Sequence, residues 1–285
     1  MSNPEKLLIL AVESSAARSA VALLEGGRPL AERGFPRGEG GVGAGSPAEA
    51  ARQALESAGR KAAEIGLLAV SVGPGSYTGL RIAVSFAKTF AWATGAAVVA
   101  VPSLSALAED AAAALAGCAV LIPTADAFRG QLYARVFRRE ASGTLADLTG
   151  DLVLKPSELV STLAQALAAV SDNRQAQARD GRRQVPAGRP EGRGAGCGAQ
   201  PATGNCCFGS GAARHAEALR EAAGQAGLPL EISAEPSSPS AATVGRIGLG
   251  RFLAGKTVTA HDLVPVYLRK TEAEERLEAR QGKKA

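Results

Sequence analysis

Histidine is nearly missing from this chain. Two occur in 285 residues, His215 and His261. Neither sits in a G-x-S-x-G elbow, no H-E-x-x-H occurs, and no pair falls at i, i+4. A zinc protease therefore lacks its ligands, and a serine hydrolase of the elbow type lacks its motif. Cysteine is also sparse: Cys118, Cys197, Cys206 and Cys207, with no C-x-x-C. A chain of this length needs no covalent staples, so four reduced thiols are expected. A zinc site from Cys197, Cys206, Cys207 and His215 would match no known module spacing. Aromatic residues make up only 4% while alanine abounds, which favours close helix contacts through small side chains. No run of about twenty apolar residues is present, so no membrane span is expected. The first residues carry no cationic start followed by an apolar run and a cleavage site, and a cytoplasmic location is expected.

Apolar residues are plentiful, at 46%, so the chain can bury a core of one or two domains. The net charge of +5 is largely local. Residues 172–193 hold six arginines against three acids, which leaves the remainder close to neutral and argues against a basic nucleic-acid groove. Residues 172–204 are rich in Gly, Arg, Gln, Pro and Ala without apolar periodicity and read as a disordered insertion.

The most informative stretch is 67–95. Leu67 to Val72 reads as a buried strand. Gly73-Pro74-Gly75-Ser76-Tyr77-Thr78-Gly79 follows as a turn. From Thr78 to Thr94 the period becomes helical, with Ala83, Phe86, Ala87, Phe90 and Ala91 on one face. Gly95 stands where a helix C-cap prefers glycine. Amides at such a turn can face an anion. The spacing is not a P-loop, because Leu80 replaces the lysine, and it is not G-x-G-x-x-G, because position 78 is Thr.

Around this unit, strands are expected at 6–12, 20–24 and 29–35, and a helix from a Ser46-Pro47-Ala48-Glu49 cap to about 58. Another strand is expected at 97–101 and a helix from Ser103 to about 115. Strands at 119–123 and 134–138 flank a hairpin carrying Asp126. Helices are expected at 156–170 and 240–253, with a glycine turn at 207–212 ahead of a helix carrying His215. The mixed charge of residues 270–285 suits an exposed or partner-bound tail. Strands alternating with helices argue for α/β sheets covered on both faces.

Gly-Pro-Gly-Ser-Tyr-Thr-Gly-Leu-Arg-Ile at 73–82 resembles the signature of the TsaB (YeaZ) family. Val264-Pro265-Val266-Tyr267-Leu268-Arg269 is similar to its Pro-x-Tyr-Leu-Arg ending, and 124–133 to its Asp-Ala-Arg-x-Gly hairpin. Phe128 stands where arginine is usual and Gln131 where an acid is usual. Glu13-Ser14-Ser15 replaces the usual Asp-Thr-Ser, and the histidine usual before the 46–58 helix is missing. The resemblance implies an actin-like ATPase (ASKHA) fold, with two α/β subdomains, each a mixed sheet flanked by helices. The expected divisions are 1–105, 106–237 and 238–285.

It also implies a non-catalytic subunit that pairs with TsaD in forming threonylcarbamoyladenosine beside the anticodon of ANN-decoding tRNAs. The implied partners are a TsaD-type subunit, a TsaE-type ATPase and tRNA held by the complex, with self-pairing when TsaD is absent. The expected partner surface is Leu80, Ala83, Val84, Phe86, Ala87 and Phe90. The signature residues are Gly73, Pro74, Gly75, Ser76, Tyr77, Thr78, Gly79 and Arg81. Glu13 and Asp126 are candidates for a vestigial nucleotide site. No catalytic residue, metal or cofactor is expected in this chain, and ATP is expected to be used by the complex. The alternative is an autonomous actin-like ATPase or kinase working through Glu13, 73–79 and Asp126. A peptidase is set aside for want of a histidine pair.

Overall fold

The computed structural model describes residues 3–36, 45–181 and 203–269. Two sheets organise it. In the first, β1 (Leu8–Glu13) pairs antiparallel with β2 (Ala20–Glu25), and β2 with β3 (Arg28–Gly34). On its other side β1 pairs parallel with β4 (Leu67–Gly73), and β4 with β5 (Ala97–Pro102). The order is β3-β2-β1-β4-β5. Because strand side chains alternate, the apolar runs of β1 and β4 feed two cores. Leu8, Leu10, Val12, Leu68 and Val70 face α1 (Pro47–Ser57) and α2 (Tyr77–Thr94). Ile9, Ala11, Ala69, Val99 and Val101 face the opposite side. Ser46 caps α1, accepting from the Glu49 N–H at 3.2 Å, and Gly95 ends α2 at φ 74°, both as the sequence suggests.

The second sheet runs β10 (Leu152–Leu154), β7 (Leu132–Ala134), β6 (Cys118–Asp126), β11 (Gly204–Gly209), β12 (Glu231–Ser233). Of two further short strands, β8 (Phe137–Arg139) pairs with β6 and β9 (Leu145–Asp147) pairs with β8. The single strand expected at 134–138 is in fact split between β7 and β8. Helix α3 (Ser103–Ala112) joins the lobes: Ala106 packs on the first sheet, while Leu104, Leu107 and Ala111 pack against Leu121 and Phe208 of the second. Helices α4 (Pro156–Gly181), α5 (Ser210–Arg214) and α6 (Ala216–Gln225) complete the second lobe.

Two expectations are corrected here. Helix α4 continues to Gly181, so residues 172–181 are helical rather than disordered. Ala, Gln and Arg in that stretch have good helix propensity even without an apolar face. The rest of the insertion up to 202, and the tail 270–285, lie outside the described residues. Cys118 and Cys206 form a disulfide rather than two free thiols, because adjacent strands bring residues 88 apart in sequence side by side. Cys207 is free and buried, and burial pushes its thiol up to about 12.

Helix α7 (Ala241–Leu253) returns to the first lobe and covers the Ile9–Ala69 face. Residues 254–269 then form a strap along that lobe. The Val258 N–H donates to the Val98 carbonyl at 2.9 Å, and the Val266 N–H to the Val72 carbonyl at 2.7 Å. Lys88 Nζ donates to the His261 carbonyl at 3.0 Å. Arg269 crosses to the second lobe, donating to the Ala127 carbonyl at 2.8 Å. Among the described residues no helix is long and apolar enough to cross a membrane.

Candidate functional site: an interlobe cleft beside an exposed helix face

The signature turn is held from three sides. Gly73 has φ 114°, and a Cβ there would lie 2.9 Å from the Val266 carbonyl oxygen of the strap. Only glycine combines that backbone with that approach. The Gly73 N–H donates to Ser103 Oγ at 3.1 Å, which itself pairs with Ser71 Oγ at 2.6 Å. The Ser76 N–H donates to the Ser15 carbonyl at 2.7 Å, and Ser76 Oγ accepts from the Gly79 N–H at 3.3 Å. Ser76 is thus the N-cap of α2. Tyr77, Arg81 and Tyr267 stack at the helix start. Arg81 lies 4.1 Å from the Tyr77 ring centroid and donates to the Tyr267 hydroxyl at 3.1 Å, and the two tyrosine rings are 4.9 Å apart. This layer joins the signature to the C-terminal motif through 186 residues of sequence.

Between the lobes lies a cleft of about 890 Å³. Its first wall is Ser15–Ala17 and Pro74–Tyr77; its second is Thr124–Arg129 and Ser210, with Tyr267 and Arg269 at the strap. Thr124 organises the second wall. Its hydroxyl donates to the Phe208 carbonyl at 2.8 Å and accepts from the Ala212 N–H at 2.7 Å. Gly209 (φ 103°) permits this crossing, since a Cβ there would overlap the Thr124 carbonyl oxygen. Thr124 is fully buried, so Thr124→Val should strand both backbone groups. The expected loss is about 2–4 kcal/mol of unfolding free energy, read by chemical denaturation.

The two acidic candidates have different fates. Asp126 lines the cleft, but its carboxylate is engaged. It lies 3.2 Å from Arg214 Nη1 and 3.6 Å from His215 Nε2, and it accepts from the Phe128 N–H at 3.0 Å. The last contact makes it a turn-capping aspartate. Glu13 is 1% exposed and is not part of the cleft wall. Its Oε1 accepts from both the N–H and the hydroxyl of Ser15, each at 2.5 Å. The acid expected to face a nucleotide's metal is instead tied into its own turn. Arg214 and His215 beside Asp126 were not legible in the sequence, since 88 residues separate Asp126 from Arg214 and no motif links them.

Helix α2 presents one face outward. Thr78, Arg81, Ile82, Ser85, Thr89, Trp92 and Ala93 are exposed, and Trp92 is 86% exposed. Tyr77, Val264, Val266 and Tyr267 of the adjoining turn and strap are exposed as well. The face expected from the sequence is a different one. Leu80, Ala83, Val84 and Ala87 are buried in the chain's own core, with Val84 at 4% and the other three at 0%. In this structure they are core residues and not surface. For Ala83, Val84 and Ala87 the reason is that α1 and the first sheet already occupy that stripe. Phe86 and Phe90 are partly buried, with rings 5.6 Å apart, and reach the margin of the outer face.

Two lobes, each a mixed sheet with helices on its faces, and a cleft at their junction define an actin-like ATPase fold. The chain belongs to the family described as TsaD: tRNA N6-adenosine threonylcarbamoyltransferase, whose profile matches residues 48–276. Against the tRNA threonylcarbamoyladenosine biosynthesis protein TsaB of Bacillus subtilis it is 36% identical over 88 residues, which is 31% of this chain and 37% of that protein. The chain thus aligns with little more than a third of the length of this curated relative. A Pseudomonas aeruginosa crystal structure titled as an uncharacterized protein with similarity to peptidase YEAZ shares 22% identity. It gives a TM-score of 0.65, covering 92% of this chain and 100% of that one. YeaZ from Pseudomonas aeruginosa gives 0.61 at 21% identity, again over 92% and 100%. The resemblance to TsaB (YeaZ) read from residues 73–82 is supported by all of these.

Proposed function

We propose that this chain is a non-catalytic subunit of the machinery that forms threonylcarbamoyladenosine in tRNA. It pairs with a TsaD-type subunit, which transfers the threonylcarbamoyl group to the adenosine next to the anticodon of ANN-decoding tRNAs. A TsaE-type ATPase is the third member, and tRNA is met through the complex. ATP is used by the complex, and no cofactor resides in this chain. The same surface serves for self-pairing when the partner is missing. Family membership and the name of the curated relative support the pathway. The observation that carries the role is the outer side of α2, where Ile82 and, ten residues further along the helix, Trp92 are exposed, as are the strap residues Val264 and Val266. A fully exposed tryptophan is the kind of side chain that anchors a protein contact, and that supports the reading.

The cleft raises a second reading, an ATPase acting alone. Glu13 is buried and bonded to Ser15, and Asp126 is paired with Arg214, so neither is set to hold a metal or activate water. The expected result is ATP turnover by the purified chain at the background rate, alongside formation of a stable complex with its own organism's TsaD-type protein. Turnover by the chain alone, abolished by Asp126→Asn, together with no complex, would reverse the assignment.

A further inference from the structure

Cys118, Cys206 and Glu231 meet on three neighbouring strands, β6, β11 and β12. Cys206 and Glu231 are register partners, so their side chains leave the same face of the sheet. The Cys118 and Cys206 Cα atoms are 6.0 Å apart. One ligating atom from each of the three residues lies within 4.8 Å of the other two, and Cys206 Sγ is 3.5 Å from Glu231 Oε2. Both cysteines are buried and Glu231 is exposed, so the cluster opens to solvent on its carboxylate side. Cys207 takes no part, because it projects from the other face into the core with Ile122 and Leu163.

We propose that these three residues form a binding site for a soft divalent cation of the zinc type, open only when the cysteines are reduced. Two thiolates and a carboxylate are a donor set that zinc accepts, with water completing a tetrahedron. Sulfurs bound to one tetrahedral ion at about 2.3 Å stand about 3.8 Å apart, a separation within reach of strands spaced like these. With both thiols ionised, three anionic donors this close would repel one another, and a shared cation removes that repulsion. Binding forms two metal–sulfur bonds and one metal–oxygen bond and releases the two thiol protons. The structure holds the oxidised, closed form. It arises when a small-molecule disulfide such as glutathione disulfide accepts the two electrons. One thiolate attacks it, the second resolves the mixed disulfide, and two glutathione thiols leave.

The test uses Co²⁺ as the probe on the full chain, kept reduced and free of oxygen. The expected result is a sulfur-to-cobalt charge-transfer band saturating at one equivalent and displaced by Zn²⁺. The band is lost in Cys118→Ser and Cys206→Ser and is unchanged in Cys197→Ser. A direct ligand should matter at least as much as the groups behind it, so Glu231→Ala is expected to weaken binding about tenfold or more. Glu231 is exposed, so this variant reports even where the cysteine variants fail to fold. No band in the reduced wild type overturns the proposal. So does an equal band after treatment with glutathione disulfide, or unchanged affinity in Glu231→Ala.

Discussion

Trp92→Glu is expected to leave the chain folded and to weaken its proposed pairing with a TsaD-type subunit severely. The side chain is 86% exposed and belongs to neither core of the first lobe, so its replacement should change stability by no more than about 0.5 kcal/mol. At an interface the arithmetic differs. A tryptophan at the centre of a contact commonly contributes about 2–4 kcal/mol, and a glutamate in its place adds an unpaired charge to a surface losing its water. Affinity should fall by about thirtyfold to a thousandfold. Ile82→Glu, on the same outer face, should act in the same direction. Val84→Glu makes the contrast. Val84 is 4% exposed inside the core formed with α1, so a charge there unfolds the first lobe and says nothing about pairing. The measurement is size-exclusion chromatography with the partner, paired with a thermal melt of each variant alone. A Trp92→Glu chain that melts as wild type and still elutes in complex would move the interface off this helix.

That contrast also shows what the sequence could and could not say. The strand, turn and helix at 67–95 were legible because three signals coincide there: a β-branched apolar run, clustered glycines, and a change of period from 2 to 3.6. The direction in which α2 faces was not legible. Leu80, Val84 and Phe86 are equally apolar on paper, and only the packed fold decides that the first two are buried and the third lies at a margin. The bonding of Glu13 is hidden for a related reason. Its place at the end of the first strand follows from the apolar run before it, yet that its carboxylate is held by Ser15 rests on two short local hydrogen bonds that no pattern announces. The contacts of Asp126 with Arg214 and His215 come from a pairing of β6 with β11, which no local pattern encodes. The Cys118–Cys206 bond has the same origin.

Gly248→Val is expected to prevent the first lobe from folding. Helix α7 lies so close to the sheet that a Cβ at Gly248 would overlap the Cβ of Ala69, while one at Gly245 would come to 2.5 Å from Leu24 Cδ1. Ala69 cannot retreat. It lies in central strand β4, between β1 and β5, with α2 packed on the far side of the sheet. The helix must therefore lift, and lifting it uncovers Ile9, Ala11, Val99 and Val101 together. Overpacking alone costs about 1–3 kcal/mol. Exposing part of that face at about 25 cal/mol per Å² raises the total to a level comparable with the whole stability of a domain, about 5–15 kcal/mol. Two companion variants separate this cause from helix propensity. A Cβ at Gly250 would meet nothing within 4 Å, so Gly250→Ala should stabilise the same helix by up to about 1 kcal/mol. Ala69→Gly should restore part of the stability lost in Gly248→Ala, because it removes the atom that the new methyl meets. Rescue would mean that residues 241–253 are an integral layer of a sheet built from residues 8–102. On that footing a fragment ending near residue 105 is an incomplete lobe with one bare apolar face, and the two segments, though far apart in sequence, belong to one folding unit.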